Sequence, residues 1–172
     1  NIIEKQPDKP STYLELANLY KLMGDRKLEK EILEKGIQSA EDNVNLKVAL
    51  GEYHMEFEEW EEGERVFLEA LVEYDKNLIA YENLLEFYYE QYEINKLEAL
   101  FDDYSGKIKS DYAIALSSTA LLNKGDISVA SNRMDTIILD KVKDSRTLEL
   151  MVQFYQRLDD REKALDITKR GL

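Results

Sequence analysis

The chain has 172 residues and a formal net charge of −13, an excess of acid that disfavours nucleic-acid phosphates and anionic membranes as partners. It has no cysteine and a single histidine, which excludes disulfides, thiolate chemistry and metal sites built from several histidines. No apolar run approaches the roughly 18–20 residues of a membrane span and no signal-peptide pattern opens the chain, so we expect no direct membrane insertion, and the compartment stays open.

Similar residues recur along the chain at a spacing of 34. The pair Leu16–Ala17 is followed 34 residues later by Leu50–Gly51 and then by Leu84–Leu85. After a deletion of one residue the register resumes at Ser117–Ser118 and continues at Met151–Val152. A period between about 20 and 50 residues indicates stacked supersecondary units instead of one globular core. Such proteins usually act through an extended surface, so we expect a binding surface and not a catalytic pocket.

Each repeat predicts two helices joined by a short turn. In the first repeat, Tyr13, Leu16 and Tyr20 fall at steps of three and four, which places them on one face of a helix. Gly24–Asp25 ends that helix, because glycine readily adopts the left-handed conformation that closes a helix end. The same pattern predicts ten helices in five units. The units are 10–43, 44–77, 78–110, 111–144 and 145–172, with 1–7 as the end of a preceding unit.

Small residues recur where the two helices of a pair would have to approach closely, since a large side chain would force them apart. Together with the repeat length, the turn position and the aromatic places, they make nearly the whole chain resemble the tetratricopeptide repeat (TPR). The resemblance is strongest from Leu50–Gly51 through Trp60 and Phe67. It implies an all-α fold, an α-solenoid of antiparallel helix pairs in a right-handed superhelix. The small residues are Ala17, Gly36, Gly51, Ala70, Ala130 and Ala164.

Several positions depart from that family pattern. Glu29 stands where a small residue is usual, and Leu85 and Leu97 are large where small residues are usual. Ser117–Ser118 replaces a larger, more apolar pair, and the connection near Gly106 is one residue short of the register. We therefore expect less regular packing around the third and fourth units.

Both ends of the chain fall inside unfinished units. Ile2, Ile3 and Pro7 match the end of a preceding second helix, and Gly171–Leu172 matches Gly36–Ile37 within a second helix. Solenoids need polar capping elements at both ends, and the sequence has no such pattern. The sequence thus predicts a segment of a longer protein.

No arrangement of residues predicts catalysis, a cofactor or a metal site, so we expect the chain not to be an enzyme. His54 stands at the place held by Tyr20 and Tyr88 in the neighbouring repeats, which predicts a buried residue of a helix pair. The acidic run at 61–64 is typical of a solvated face at a helix N-terminus, where the helix dipole favours negative charge.

Four carboxylates repeat in register. Glu52 and Glu56 are four residues apart on a predicted first helix, Glu86 and Glu90 hold the same places one repeat later, and Glu82 extends the set by one turn. Equal places in stacked repeats are neighbours, so we expect an array, which the family resemblance places in the concave groove. Like charges four residues apart cost a few tenths of a kcal/mol per pair, so stability alone would not select them. An ordinary charged surface is the alternative.

The sequence is strongly acidic around the first half of this array and largely apolar in the repeat that follows it. Residues 41–75 hold twelve acids and two bases, and Tyr89 offers an aromatic face to a cation. In the fourth unit the corresponding places are largely apolar, at Tyr112, Leu116 and Thr119. Either a partner covers that apolar stretch or the curvature of the solenoid packs it internally.

A groove that is acidic along one stretch and apolar along the next suits a basic or amphipathic peptide or helix. The sequence therefore predicts a protein–protein interaction scaffold with a protein or peptide partner and no nucleic acid. Two alternatives stay open. One is structural self-assembly, or a spacer between other domains; the other is the recruiting domain of a larger enzyme or of a secretion or export protein.

Overall fold

A computed structural model describes residues 8–170, and every regular element within them is helical. The end residues that the sequence assigns to unfinished units, 1–7 and 171–172, lie outside the described residues. Ten α-helices and one 3₁₀ helix (η1) follow one another along the chain. They are α1 Pro10–Met23, α2 Arg26–Ser39, α3 Val44–Glu56, α4 Trp60–Glu73, α5 Leu78–Glu90, α6 Ile94–Tyr104, α7 Asp111–Lys124, α8 Ile127–Met134, η1 Leu139–Lys141, α9 Ser145–Arg157 and α10 Arg161–Arg170.

The predictions of an all-α chain and of ten helices are confirmed. The first helices of the five pairs begin at regular intervals, with successive steps of 34, 34, 33 and 34 residues. The single shorter step spans the α6–α7 connection around Gly106, where the sequence predicts a missing residue. These starting residues are Pro10, Val44, Leu78, Asp111 and Ser145.

Contacts between residues divide the chain into two compact units, Asn1–Leu84 and Leu85–Leu172, with the division inside α5. In the first unit α1 packs on α2, α2 on α3, and α3 on α4, around a core that includes Tyr13, Leu33 and Leu46. In the second unit α7 packs on α6, α8 and α9, and α9 packs on α10. Each unit therefore buries the facing stripes of consecutive helices, as helix-pair repeats do.

One residue in each helix-pair turn has a left-handed backbone. Its φ angle lies between 57° and 98°, and the next residue donates its N–H to the carbonyl five residues earlier over 2.8–3.0 Å. This pair of features is the Schellman ending of a helix. Only two of the five residues are glycine, so the geometry of the repeat prevails over local preference at the others. The five are Gly24, Glu58, Tyr92, Gly125 and Asp159.

Replacing Tyr92 with glycine is expected to stabilise the protein. A left-handed backbone costs a non-glycine residue about 1–2 kcal/mol, and the Tyr92 side chain is 82% exposed, so little packing is lost. Glycine loses more backbone entropy on folding than tyrosine does, which offsets part of this gain. Tyr92→Gly should therefore raise the free energy of unfolding by about 0.5–1 kcal/mol, measured in urea titrations.

Two matched variants check the cause. Tyr92→Ala retains the backbone strain and should change the free energy of unfolding by less than about 0.5 kcal/mol, whereas Gly125→Ala introduces strain and should lower it by about 1 kcal/mol. Equal stabilisation by Tyr92→Ala and Tyr92→Gly would assign the effect to the tyrosine side chain and contradict the backbone explanation.

The expected close approach at small residues is confirmed. A Cβ atom on Gly51 would lie 2.6 Å from the Phe67 ring, and one on Gly36 would lie 2.8 Å from the Cβ of Tyr13. The alanines at the other predicted small-residue places are buried. They are Ala17, Ala70, Ala130 and Ala164.

Gly36→Ala is expected to destabilise the protein, because rotation of the Tyr13 side chain cannot move its Cβ and the helices must separate. We expect a net loss of about 2 kcal/mol, the overpacking cost outweighing the gain in helix propensity. Gly63→Ala is the matched control, also within a helix. Its new Cβ would meet the flexible end of Met55, so its loss should be under about 1 kcal/mol. Equal losses in thermal unfolding would contradict this account.

Candidate partner-binding surface

The first predicted carboxylate pair lies exposed on α3. Glu52 accepts a hydrogen bond from Asn83 Nδ2 at 3.0 Å, and Glu56 accepts one from the ammonium group of Lys21. Asn83 belongs to α5 and Lys21 to α1, so the two glutamates link α3 to the first helices before and after it. All four residues lie in the first unit.

The charges around Lys21 leave this face negative. The hydrogen bond to Glu56 raises the pKa of Lys21, and the negative charges of Glu56, Glu29 and Glu52 act in the same direction. Glu29, which departs from the family pattern, is 6% exposed, and burial raises the pKa of its carboxyl group. One lysine therefore stands among three carboxyl groups. A second cation brought to this face would be attracted electrostatically.

An apolar patch on the last turns of α1 was missed by the sequence analysis. Leu19, Leu22 and Met23 lie at i, i+3 and i+4 and are 51%, 87% and 67% exposed. Leu22 precedes Glu56 by 34 residues, so stepping back once from Glu56 would have found it. The patch lies on α1, the helix that the Lys21–Glu56 contact joins to α3 and its acidic pair.

The remaining predicted glutamates differ in exposure. Glu82 on α5 is only 9% exposed, which corrects its assignment to an open surface. Glu86 is half-buried and Glu90 is exposed, and both belong to the second unit. That they form one array with Glu52 and Glu56 of the first unit stays a prediction.

Tyr89 lies half-buried in a polar chain within the second unit. Its hydroxyl accepts a hydrogen bond from Asn123 Nδ2 at 3.4 Å, and the carbonyl oxygen of Asn123 accepts one from Arg157. The three residues lie on α5, α7 and α9, the successive first helices, at steps of 34 residues. The hydroxyl is thus hydrogen-bonded within the chain, and a contact between a cation and the face of the ring stays a prediction.

The apolar stretch predicted on α7 is interior. Tyr112, Leu116 and Thr119 are 6%, 2% and 0% exposed, because α6, α8 and α9 all pack against α7. The hydroxyl of Thr119 donates to the carbonyl of Ala115 at 2.8 Å, and the Arg146 guanidinium lies 4.2 Å from the centroid of the Tyr112 ring. Of the two alternatives that the sequence leaves open, internal packing describes these three residues. They are not available to a partner.

His54 lies in a polar cluster between the first two helix pairs. It is 3% exposed, as the sequence predicts, and its Nδ1 lies 2.6 Å from Oε2 of Glu59. Glu59 also accepts a hydrogen bond from Arg26, whose Nε donates to the Tyr53 hydroxyl at 2.8 Å and whose guanidinium lies 3.9 Å from the centroid of the Phe57 ring. The hydrogen bond from His54 lowers the pKa of Glu59, and the charges of Lys30 and Arg26 lower it further.

Among residues 8–170, no three His, Asp or Glu side chains lie close enough together to hold a metal ion. In the same range no helix combines the length and the apolar character that crossing a bilayer requires.

Solved structures with the same arrangement identify the fold. PilF of Pseudomonas aeruginosa matches with a TM-score of 0.72 and 18% identity, over 96% of this chain and 76% of PilF. The fold is that of the TPR proteins. A TPR protein from Parabacteroides merdae matches with a TM-score of 0.71 and 17% identity, over 92% of this chain and 63% of its own length. YrrB, a TPR protein with an unusual peptide-binding site, matches with a TM-score of 0.60 and 15% identity, over 99% and 88% of the two chains.

No protein-family model and no curated protein matches the chain. Its TPR fold agrees with the resemblance seen in the sequence and with the predicted class of helical-repeat solenoid.

The cluster around Glu59 makes part of the stability of this chain dependent on pH. Because folding lowers the pKa of Glu59, its contribution is present above the ordinary glutamate value of 4.5 and is lost as the pH falls through the lower folded value. Glu59→Gln should therefore cost stability near neutral pH, and the difference from the wild type should shrink below pH 4.5.

Urea titrations between neutral and acid pH measure that difference. Glu61→Gln, an exposed glutamate on the neighbouring α4, is the control and should give a small difference at every pH. A Glu59→Gln difference that stays constant into the acid range would contradict the assignment.

Proposed function

We propose that this chain is a protein-interaction scaffold that binds a basic, amphipathic segment of a partner. The proposed surface is formed by the first helices α1 and α3 of the first compact unit, residues 1–84, called unit 1 below. One observation carries the proposal. Glu52 and Glu56 carry exposed carboxylates on α3, and Leu19, Leu22 and Met23 carry exposed apolar side chains on α1, the helix that Lys21 joins to Glu56. The fold allows a binding role and does not select this surface; the side chains do.

Charge supports a cationic partner. Residues 41–75 hold twelve acids and two bases. Lys21, Arg26 and Lys30 of the preceding repeat form ion pairs with Glu56 and Glu59 of this region and leave an acidic excess. A lysine- or arginine-rich segment would be steered towards such a region, and its association would weaken as salt screens the charges.

The apolar patch supports an amphipathic partner. Leu22 and Met23 are 87% and 67% exposed, and clustered exposed apolar side chains are typical of interaction sites. An amphipathic helix docks by placing apolar residues from successive turns on such a patch, with its charged face towards the rim. YrrB, with the same fold, has a peptide-binding site, which agrees with a peptide as the ligand.

The same proposal assigns a role to three residues of the second compact unit, called unit 2 below. Glu86 and Glu90 offer a second acidic pair to the same class of partner, with Tyr89 beside them. The proposal involves no catalysis and no cofactor. Self-association through the Leu22 patch is the competing use of this surface, and the experiment below distinguishes the two.

Binding of a synthetic amphipathic peptide of leucine and lysine tests the proposal, with a leucine–glutamate peptide of equal length as the negative probe. Fluorescence anisotropy should show binding of the lysine peptide alone, weakening as salt is raised. Glu52→Gln/Glu56→Gln should weaken binding about 3- to 10-fold, and Leu22→Ser should weaken it by a similar factor without changing the salt dependence.

Glu34→Gln/Glu61→Gln is the matched control, since it removes two exposed carboxylates from second helices and should leave the affinity unchanged. Equal weakening by both double variants would assign binding to overall charge and reject this surface. Self-association that disappears with Leu22→Ser in sedimentation equilibrium, without peptide binding, would support the competing use. The pair Glu86→Gln/Glu90→Gln tests unit 2 by itself.

A further inference from the structure

The second unit contains a cavity of about 200 Å³ between α8, α9 and α10. Its floor is apolar and buried. Met134, Ile137, Met151 and Ile167 line it and are between 0% and 7% exposed. They come from α8, the segment after it, α9 and α10, so three helices and a loop line the space, which opens to solvent on one side.

The cavity follows from the early end of α8. This helix has 8 residues, whereas the second helices α2 and α4 have 14 each. Thr136, Ile137 and Ile138 form a run of β-branched residues, which disfavours further helix. The chain turns away after Met134 and continues to η1, so no helical turn fills the space above the floor.

The mouth of the cavity carries charges that are already paired. Asp135 accepts hydrogen bonds from the Tyr155 hydroxyl at 2.7 Å and from Lys163 Nζ at 3.2 Å. Asp166 accepts one from Arg170 Nε at 3.0 Å. Asp135, Lys163 and Asp166 are each about half exposed, so the polar groups surround the opening and the apolar groups lie beneath them. An ion entering the cavity would gain little from charges that neutralise each other.

We propose that this cavity binds a single apolar side chain, of the size of leucine, methionine or phenylalanine, from a peptide partner. Its volume agrees with that occupant, since an apolar cavity of about 150 Å³ engineered in another protein binds benzene. Lys163 and the rim carboxylates stand where they can bind the backbone amides on either side of the inserted side chain. The site is independent of the proposed surface on unit 1.

Methyl resonances of the methionines test this proposal. Met134 and Met151 line the cavity, whereas Met23 and Met55 lie in the first unit and serve as internal controls. Titration with N-acetyl-leucinamide or N-acetyl-phenylalaninamide should shift the signals of Met134 and Met151 with a Kd of about 1–10 mM, as expected for about 12–15 heavy atoms. N-acetyl-lysinamide should leave them in place.

Leu139→Phe fills the space from a partly buried lining position and should abolish these shifts while Met23 and Met55 keep their wild-type signals. Three results would overturn the proposal: unmoved Met134 and Met151 signals, equal shifts of all four methionines, or equal affinity for the lysine amide. Binding of free indole without binding of the apolar amides would also overturn it, because the site would then accept a small molecule and not a peptide side chain.

Discussion

The close contact between a small residue on one helix and a large side chain on the helix beside it is the constraint on which this structure depends. Gly51 lies against the Phe67 ring within the second helix pair, and Gly36 lies against Tyr13 within the first. Because these contacts fix the distance between helices, they fix how each pair packs on the next. Within the first unit, α1 and α3 then lie in register, and residues about 34 apart meet, as Lys21 meets Glu56.

The turns impose a second constraint, which the sequence reveals only in part. The repeat requires a left-handed residue at one place in every turn, and glycine at two of them is visible in the sequence. Glu58 and Tyr92 at the same place are not predictable from their own preferences, because the requirement comes from the packing of the helices on either side. Position 92 is found only by stepping 34 residues from Gly24 through Glu58.

The 34-residue period and the small residues were sufficient to predict the helices, their pairing and the repeat that is one residue short near Gly106. All three depend on local patterns along the chain. Exposure was not predictable in the same way. Tyr112 and Leu116 occupy first-helix places, yet they are buried because α7 has neighbours on several sides. Glu15, which holds the place of Leu116 on α1, is exposed. The place of a residue in the repeat fixes the direction in which its side chain points, but its burial depends on which neighbouring elements pack against that side of the helix.

Polar residues at places normally small or apolar show how the fold tolerates departures from the pattern. Ser117 and Ser118 are fully buried; the first donates to Glu98, which also binds Arg133, and the second donates to the carbonyl of Ile114 at 2.7 Å. Hydrogen bonds therefore replace apolar contact, which limits the cost of burying hydroxyl groups.

The proposed function depends on side chains that the repeat aligns on the first helices and leaves unburied, above all on the acidic and apolar side chains of α1 and α3. The most direct measurement of that claim is the methyl spectrum of the four methionines during titration with the leucine–lysine peptide. Met23 lies in the exposed apolar patch and should shift at peptide concentrations well below the millimolar range in which the cavity of the second unit should move Met134 and Met151. Binding that leaves the Met23 signal in place would contradict the account.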